Sequence, residues 1–167
     1  MKSLIIGIVI GVLFFVCIFE LAVIFFLNYY SIRKNTEAIM NEKLSNKHLL
    51  LFQLMNEWVI VKQEGICLDS FFTQRGYKTI AIYGFNSVGR TLFSELSDSS
   101  VEVVYAIDQQ AEKIIAPSVK VFKPNEDLPK VDVVVVTPIT YFEEIESSLE
   151  KKMNCPIISL EDIVFDV

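Results

Sequence analysis

One histidine, His48, and three scattered cysteines leave this chain of 167 residues without the material of several common chemistries. A Ser-His-Asp triad would have to recruit His48 from the neighbourhood of the N-terminal apolar run, and a histidine-rich zinc site cannot be built. Cys17, Cys67 and Cys155 form neither a CxxC pair nor a disulfide framework. Basic charge is also scarce over most of the chain, because residues 48–167 hold 10 Lys and Arg against 18 Asp and Glu. An acidic body excludes general nucleic-acid binding, which needs a basic footprint. At roughly 100–150 residues per domain the length admits one folded domain and excludes a two-half dinucleotide enzyme.

Long apolar runs are present, beginning with Leu4 to Leu27, twenty-four residues interrupted only by Glu20. As a helix rising about 1.5 Å per residue the run reaches about 36 Å, against a hydrocarbon core about 30 Å thick. It therefore predicts an uncleaved transmembrane anchor over residues 1–30. A signal peptide is the rival reading, disfavoured because the run is too long and no A-x-A-like site follows it. Arg33, Lys34, Lys43 and Lys47 follow the run, so the positive-inside rule predicts a single-pass cell-membrane protein with its C-terminal domain in the cytoplasm. Tyr29 and Tyr30 would sit at the interface. Gly7 and Gly11 form a GxxxG through which two copies could approach as a homo-oligomer, while Glu20 faces the opposite side of the helix and would meet a different partner or snorkel to water.

Residues 31–75 read as a helical connector. Leu44, Leu51, Met55 and Trp58, with Leu54 and Val61, recur at spacings of three, four and seven, the mark of an amphipathic helix, and Gly65 can end it. Such a helix could pack on the domain, on a copy of itself or on a bilayer. A short helix near Leu68 to Gln74 and a C-cap at Gly76 precede the domain proper, residues 76–167.

That domain alternates strands and helices. Thr79–Tyr83, Val101–Ile107, Val119–Phe122, Val131–Thr137 and Pro156–Ser159 are rich in β-branched residues, and helices are expected near Gly89–Leu96 and Tyr141–Lys152. The alternation predicts an α/β fold with a five-stranded parallel sheet ordered 3-2-1-4-5. In such a sheet the ligand crevice lies beyond the strand ends where the order switches. Gly84-Phe-Asn-Ser-Val-Gly89-Arg90 occupies that place and resembles the opening of a Rossmann unit: Gly84 for the tight turn, Gly89 for close helix–strand packing, the amides of Ser87, Val88, Gly89 and Arg90 toward phosphate, and Arg90 as a clamp. Asp108, at the end of the second strand, is placed for ribose or sugar hydroxyls, and Thr137 borders the same edge. Asn86 stands where the second glycine of GxGxxG would be, which obstructs pyrophosphate approach. The bland alternatives are packing glycines, a turn-forming Asp108 and a solvated Arg90.

Gly76-Tyr-Lys-Thr-Ile-Ala-Ile-Tyr-Gly84, the GFNSVGR turn, Val103-Val-Tyr-Ala-Ile-Asp108, Val131-Asp-Val-Val-Val-Val-Thr137 and Cys155-Pro-Ile-Ile-Ser-Leu-Glu-Asp162 together resemble the Rossmann-like, CoA-binding-type domains attached to bacterial polysaccharide-biosynthesis proteins. The resemblance implies NAD(P), CoA or a nucleotide-sugar as ligand and polysaccharide-biosynthesis enzymes as partners. The Tyr-x-x-x-Lys of short-chain reductases is missing, since Ile145 stands four residues after Tyr141. The expected function is therefore a membrane-anchored nucleotide- or nucleotide-sugar-binding accessory module without catalysis. A ligand-free Rossmann-like interaction scaffold is the alternative, and an autonomous epimerase or oxidoreductase is a third reading for which no acid–base set is found.

Overall fold

The computed structural model describes residues 2–116 and 118–167; within the first helix, side chains are described for Lys2, Gly11, Phe15 and residues 18–63. That helix, α1, spans Lys2–Gln63, and the chain divides into two compact units, Met1–His48 and Leu49–Val167. Among the described residues no helix is long and apolar enough to cross a membrane. The expected transmembrane anchor, the single-pass cell-membrane localisation and the cytoplasmic placement that followed from it are corrected accordingly. Gly7 of the GxxxG lies outside the described side chains, and a methyl group added at Gly11 would meet no atom within 4 Å.

In the second unit the end of α1 is closed by Gly65, whose φ of +78° an L side chain rarely adopts. The Ile66 amide reaches back to the Val61 carbonyl at 3.1 Å and the Gly65 amide to Lys62 at 3.1 Å, the paired bonds of a Schellman stop. A short helix α2, Asp69–Gln74, then leads into the sheet. Strands β1 (Thr79–Tyr83), β2 (Glu102–Ile107), β3 (Lys120–Phe122), β4 (Val133–Val136) and β5 (Ile157–Ser159) are all parallel and ordered β3-β2-β1-β4-β5, as the alternation predicted. Helix α3 (Ser87–Leu96) connects β1 to β2 and α4 (Phe142–Leu149) connects β4 to β5. The β2–β3 connection carries only a 3-10 turn at Ala111–Lys113. A last helix, α5 (Leu160–Asp166), adds to the expected elements and begins where the Ser159 hydroxyl accepts the Glu161 amide at 3.3 Å.

Period-two alternation divides the core between the two sheet faces. Ile80, Ile82, Ala106, Val133 and Val135 face a layer made by Leu54, Trp58 and Val61 of α1, Phe71 and Phe72 of α2, Leu92 and Leu96 of α3, and Leu160 and Ile163 of α5. Ala81, Tyr83, Tyr105, Ile107, Val134 and Val136 face the other way, toward Phe122 and the α4 residue Leu149. Because β4 is covered on both sides, all four of its valines are buried, which is why it reads as a continuous run rather than an alternating one. The register sets which loops meet beyond the sheet: Tyr83 lies opposite Ile107 on one side and Val136 on the other. The next residues along, Gly84, Asp108 and Thr137, therefore leave the sheet side by side.

Candidate functional site

Three strands end together at this edge, and their first loop residues are tied to one another. Gly84 donates its amide to the Ile107 carbonyl at 2.8 Å. Its φ of +88° belongs to the left-handed region, and a Cβ there would lie 2.7 Å from the Pro138 ring and 2.8 Å from Thr137 Oγ1. Thr137 is buried; its hydroxyl donates to the Gly84 carbonyl at 2.7 Å and lies 3.1 Å from that of Tyr83. The turn after β1 is thus gripped from the β4 side by Thr137 and Pro138, and Pro138 fills the space beside the glycine.

Asp108 grips the same turn from the β2 side. One carboxylate oxygen accepts the Phe85 amide at 3.0 Å and the other accepts the Gln110 amide at 2.8 Å, while the Asp108 amide is bonded to the Phe122 carbonyl at 2.9 Å. Phe85 itself is buried and packs edge-on against Phe93, with ring centroids 5.7 Å apart. The residue after the turn glycine, which in a phosphate loop leaves the backbone bare, here drives an aromatic ring into the core.

Asn86 is the N-cap of α3, and its side-chain oxygen accepts the Val88 amide at 3.1 Å. One of the first-turn donors expected to face phosphate is taken by this cap, leaving Ser87 and Gly89 amides at the helix start. Gly89 serves packing: a Cβ at that position would stand 2.1 Å from the Gly84 carbonyl oxygen, so the helix lies directly on the turn. Arg90 is engaged with the β2–β3 connection. Its guanidinium donates to the Ile115 carbonyl at 3.3 Å and lies 5.6 Å from the Phe85 ring.

Gly84, Asn86, Ser87, Val88, Gly89, Asp108 and Thr137 are thus brought together at the switch point, with Arg90 on the flank. What joins them is a closed set of hydrogen bonds within the loop. Pro138 lies where a side chain on Gly84 would stand, and the Asn86 side chain occupies the Val88 amide. The cavity of about 510 Å³ farther along the same edge, between the starts of α4 and α5, is lined by Glu143, Glu144, Glu161 and Asp162 and repels anions. Among the described residues no cluster of His, Cys, Asp or Glu is arranged to hold a metal ion.

Two contributors escape sequence reasoning. Pro138 is one, since nothing in its spacing announces contact with Gly84. Glu95 of α3 is the other: its carboxylate accepts Trp58 Nε1 at 2.6 Å, Lys62 Nζ at 3.1 Å and the Leu68 amide at 3.0 Å, joining α1, α3 and the start of α2. Lys62 holds its proton more firmly than an ordinary lysine; partial burial opposes this, but the hydrogen bond and charge of Glu95, with Cys67 beside it, outweigh that loss. A pairing across 37 positions leaves no local signal. No family model matches this chain, and neither a curated protein nor a solved structure is significantly similar to it.

Proposed function

We propose that the Leu49–Val167 unit is a non-catalytic accessory module, a Rossmann-like contact scaffold associated with surface-polysaccharide biosynthesis. The observation that carries this reading is the Asp108 carboxylate, whose two oxygens each hold a backbone amide of the surrounding loops. A carboxylate that braces its own turn offers less to a ribose hydroxyl, and Pro138 on Gly84 supports the same conclusion. The polysaccharide context rests on the sequence resemblance alone. Titration calorimetry of the full chain with NAD(H), NADP(H), CoA and nucleotide-sugars is the test, and the expected result is no saturable heat with any of them.

A second reading, nucleotide or nucleotide-sugar binding, is favoured by the ten-residue helix α3, whose Ser87 and Gly89 amides stand at its positive end. Under that reading a saturating ligand at a hundredfold excess over Kd raises stability by about 2.7 kcal/mol. Arg90→Ala would then weaken binding about ten- to a hundredfold, in a salt-dependent way. Saturable heat that is lost in Gly84→Val would replace the scaffold reading with this one.

A further inference from the structure

A cavity lies away from the strand ends, between the last turns of α1 and the exposed flank of α3, both within the second unit. It is an open groove of about 720 Å³, in the size range of small-ligand sites. Met55, Trp58 and Val59 supply an apolar floor; Lys62, Arg90 and Glu95 are the charged groups that line it. Met55 to Lys62 covers about 10 Å of helix. Val59 is 51% exposed and Phe52, two turns earlier, 68%, so the apolar strip continues beyond the cavity.

The charges are unequal in availability. Glu95 is nearly buried and already accepts Trp58 Nε1, the Lys62 ammonium and the Leu68 amide. Lys62 is 43% exposed along its side chain and has a third N–H beyond those directed at Glu95 and Cys67. Arg90 spends one N–H on the Ile115 carbonyl and keeps the rest of its fork. The groove therefore carries a surplus of one positive charge beside an apolar floor, on a unit that is otherwise acidic.

We propose that this groove binds a small amphiphilic anion, its apolar body on Met55, Trp58 and Val59 and its anionic head on Arg90 and Lys62. The complementarity is specific in kind. A neutral chain would leave the two cations facing water as before, and a bare anion would forgo the apolar floor. The inference stands apart from the proposed scaffold function, because the groove shares no backbone donor with the strand-end turn, although Arg90 serves both the groove and the nucleotide reading.

Trp58 is the only tryptophan in the chain and lines this groove, so its emission comes from a single reporter at the site. Decanoate, below its micellar range, is titrated into the full chain, with 1-decanol and acetate as the body-only and head-only controls. Decanoate is expected to shift Trp58 emission saturably and to bind at least about tenfold more tightly than either control, a difference of about 1.4 kcal/mol. Arg90→Gln should weaken decanoate about tenfold and leave decanol unchanged, while Val59→Asp should abolish both with the melting curve preserved, since that side chain is half in solvent. An unsaturable response, equal affinity for decanol, or a decanoate curve indifferent to Arg90→Gln overturns the proposal.

Discussion

Replacing Gly89 by alanine separates two physical effects that ordinarily agree. In a helix, Gly→Ala is stabilising by roughly 1 kcal/mol. Gly89 stands in the first turn of α3, so helix propensity alone predicts a more stable protein. The structure predicts the reverse, because the added Cβ would lie 2.1 Å from the Gly84 carbonyl oxygen and 3.3 Å from Ile82 Cγ2. Ordinary contact begins near 3.4 Å, so the oxygen has to retreat by more than about 1 Å, and as backbone it cannot rotate aside. It is further constrained by the Thr137 hydroxyl at 2.7 Å. Overpacking of this kind costs about 1–3 kcal/mol and occasionally more. Taking the upper end, about 3 kcal/mol, for so close an approach to backbone, the net loss after the propensity gain is about 2 kcal/mol, a fall in melting temperature on the order of 8 °C for a unit of this size. Circular dichroism melts of Gly89→Ala should show it, with Thr91→Ala on the exposed side of α3 as the control for helix propensity. A Gly89→Ala protein as stable as the parent would refute the claim that α3 rests on the turn.

Asp108→Ala leaves the Phe85 and Gln110 amides without their carboxylate and should cost roughly 3 kcal/mol in urea unfolding at an unchanged slope, from about 1.5–3 kcal/mol per bond to a charged group, discounted for partial exposure; a loss under about 0.5 kcal/mol would mean that the carboxylate does not brace the turn. Tyr105 has its pKa pushed up to about 12, by burial first and by neighbouring Cys155 second, and its hydroxyl donates to the Pro129 carbonyl at 2.7 Å. Its folded pKa is raised above its unfolded value, so the stability it adds is complete below pH 10 and is lost between about pH 10 and 12, amounting to about 2–3 kcal/mol. Tyr105→Phe should flatten that part of the pH profile, and an unchanged slope would show that another group is responsible.

The sheet is readable in the sequence because its information is local and redundant. Five β-branched runs, separated by helix-like or short loop segments, leave few parallel arrangements open. The short α5 is less visible, since Leu160 to Asp166 completes less than two turns and its amphipathic repeat barely begins; only the Ser159 cap hints at it. At the strand ends the same residues satisfy two hypotheses. The positions of Gly84, Gly89 and Asp108 suit a phosphate turn, and they equally suit a turn that is closed on itself. What distinguishes the two is Pro138 over Gly84 and the aim of each Asp108 oxygen, neither of which is encoded in spacing. The N-terminal apolar run shows the opposite failing: composition over Leu4 to Leu27 predicts a membrane span, whereas among the described residues no helix is long and apolar enough for one.

The asymmetry of the two sheet faces bears on where an autonomous piece of this chain can begin. One face is roofed partly by Leu54, Trp58 and Val61, which precede β1 by eighteen residues or more. A polypeptide starting at residue 76 would carry the whole sheet and every strand-end residue, yet would present Ile80, Ile82 and Val133 with part of their cover missing. Its Glu95 would also lose Trp58, Lys62 and the Leu68 amide together. The tail of α1 is in that sense a structural part of the sheet delivered in advance by the chain, and any fragment meant to stand alone has to start upstream of Leu54.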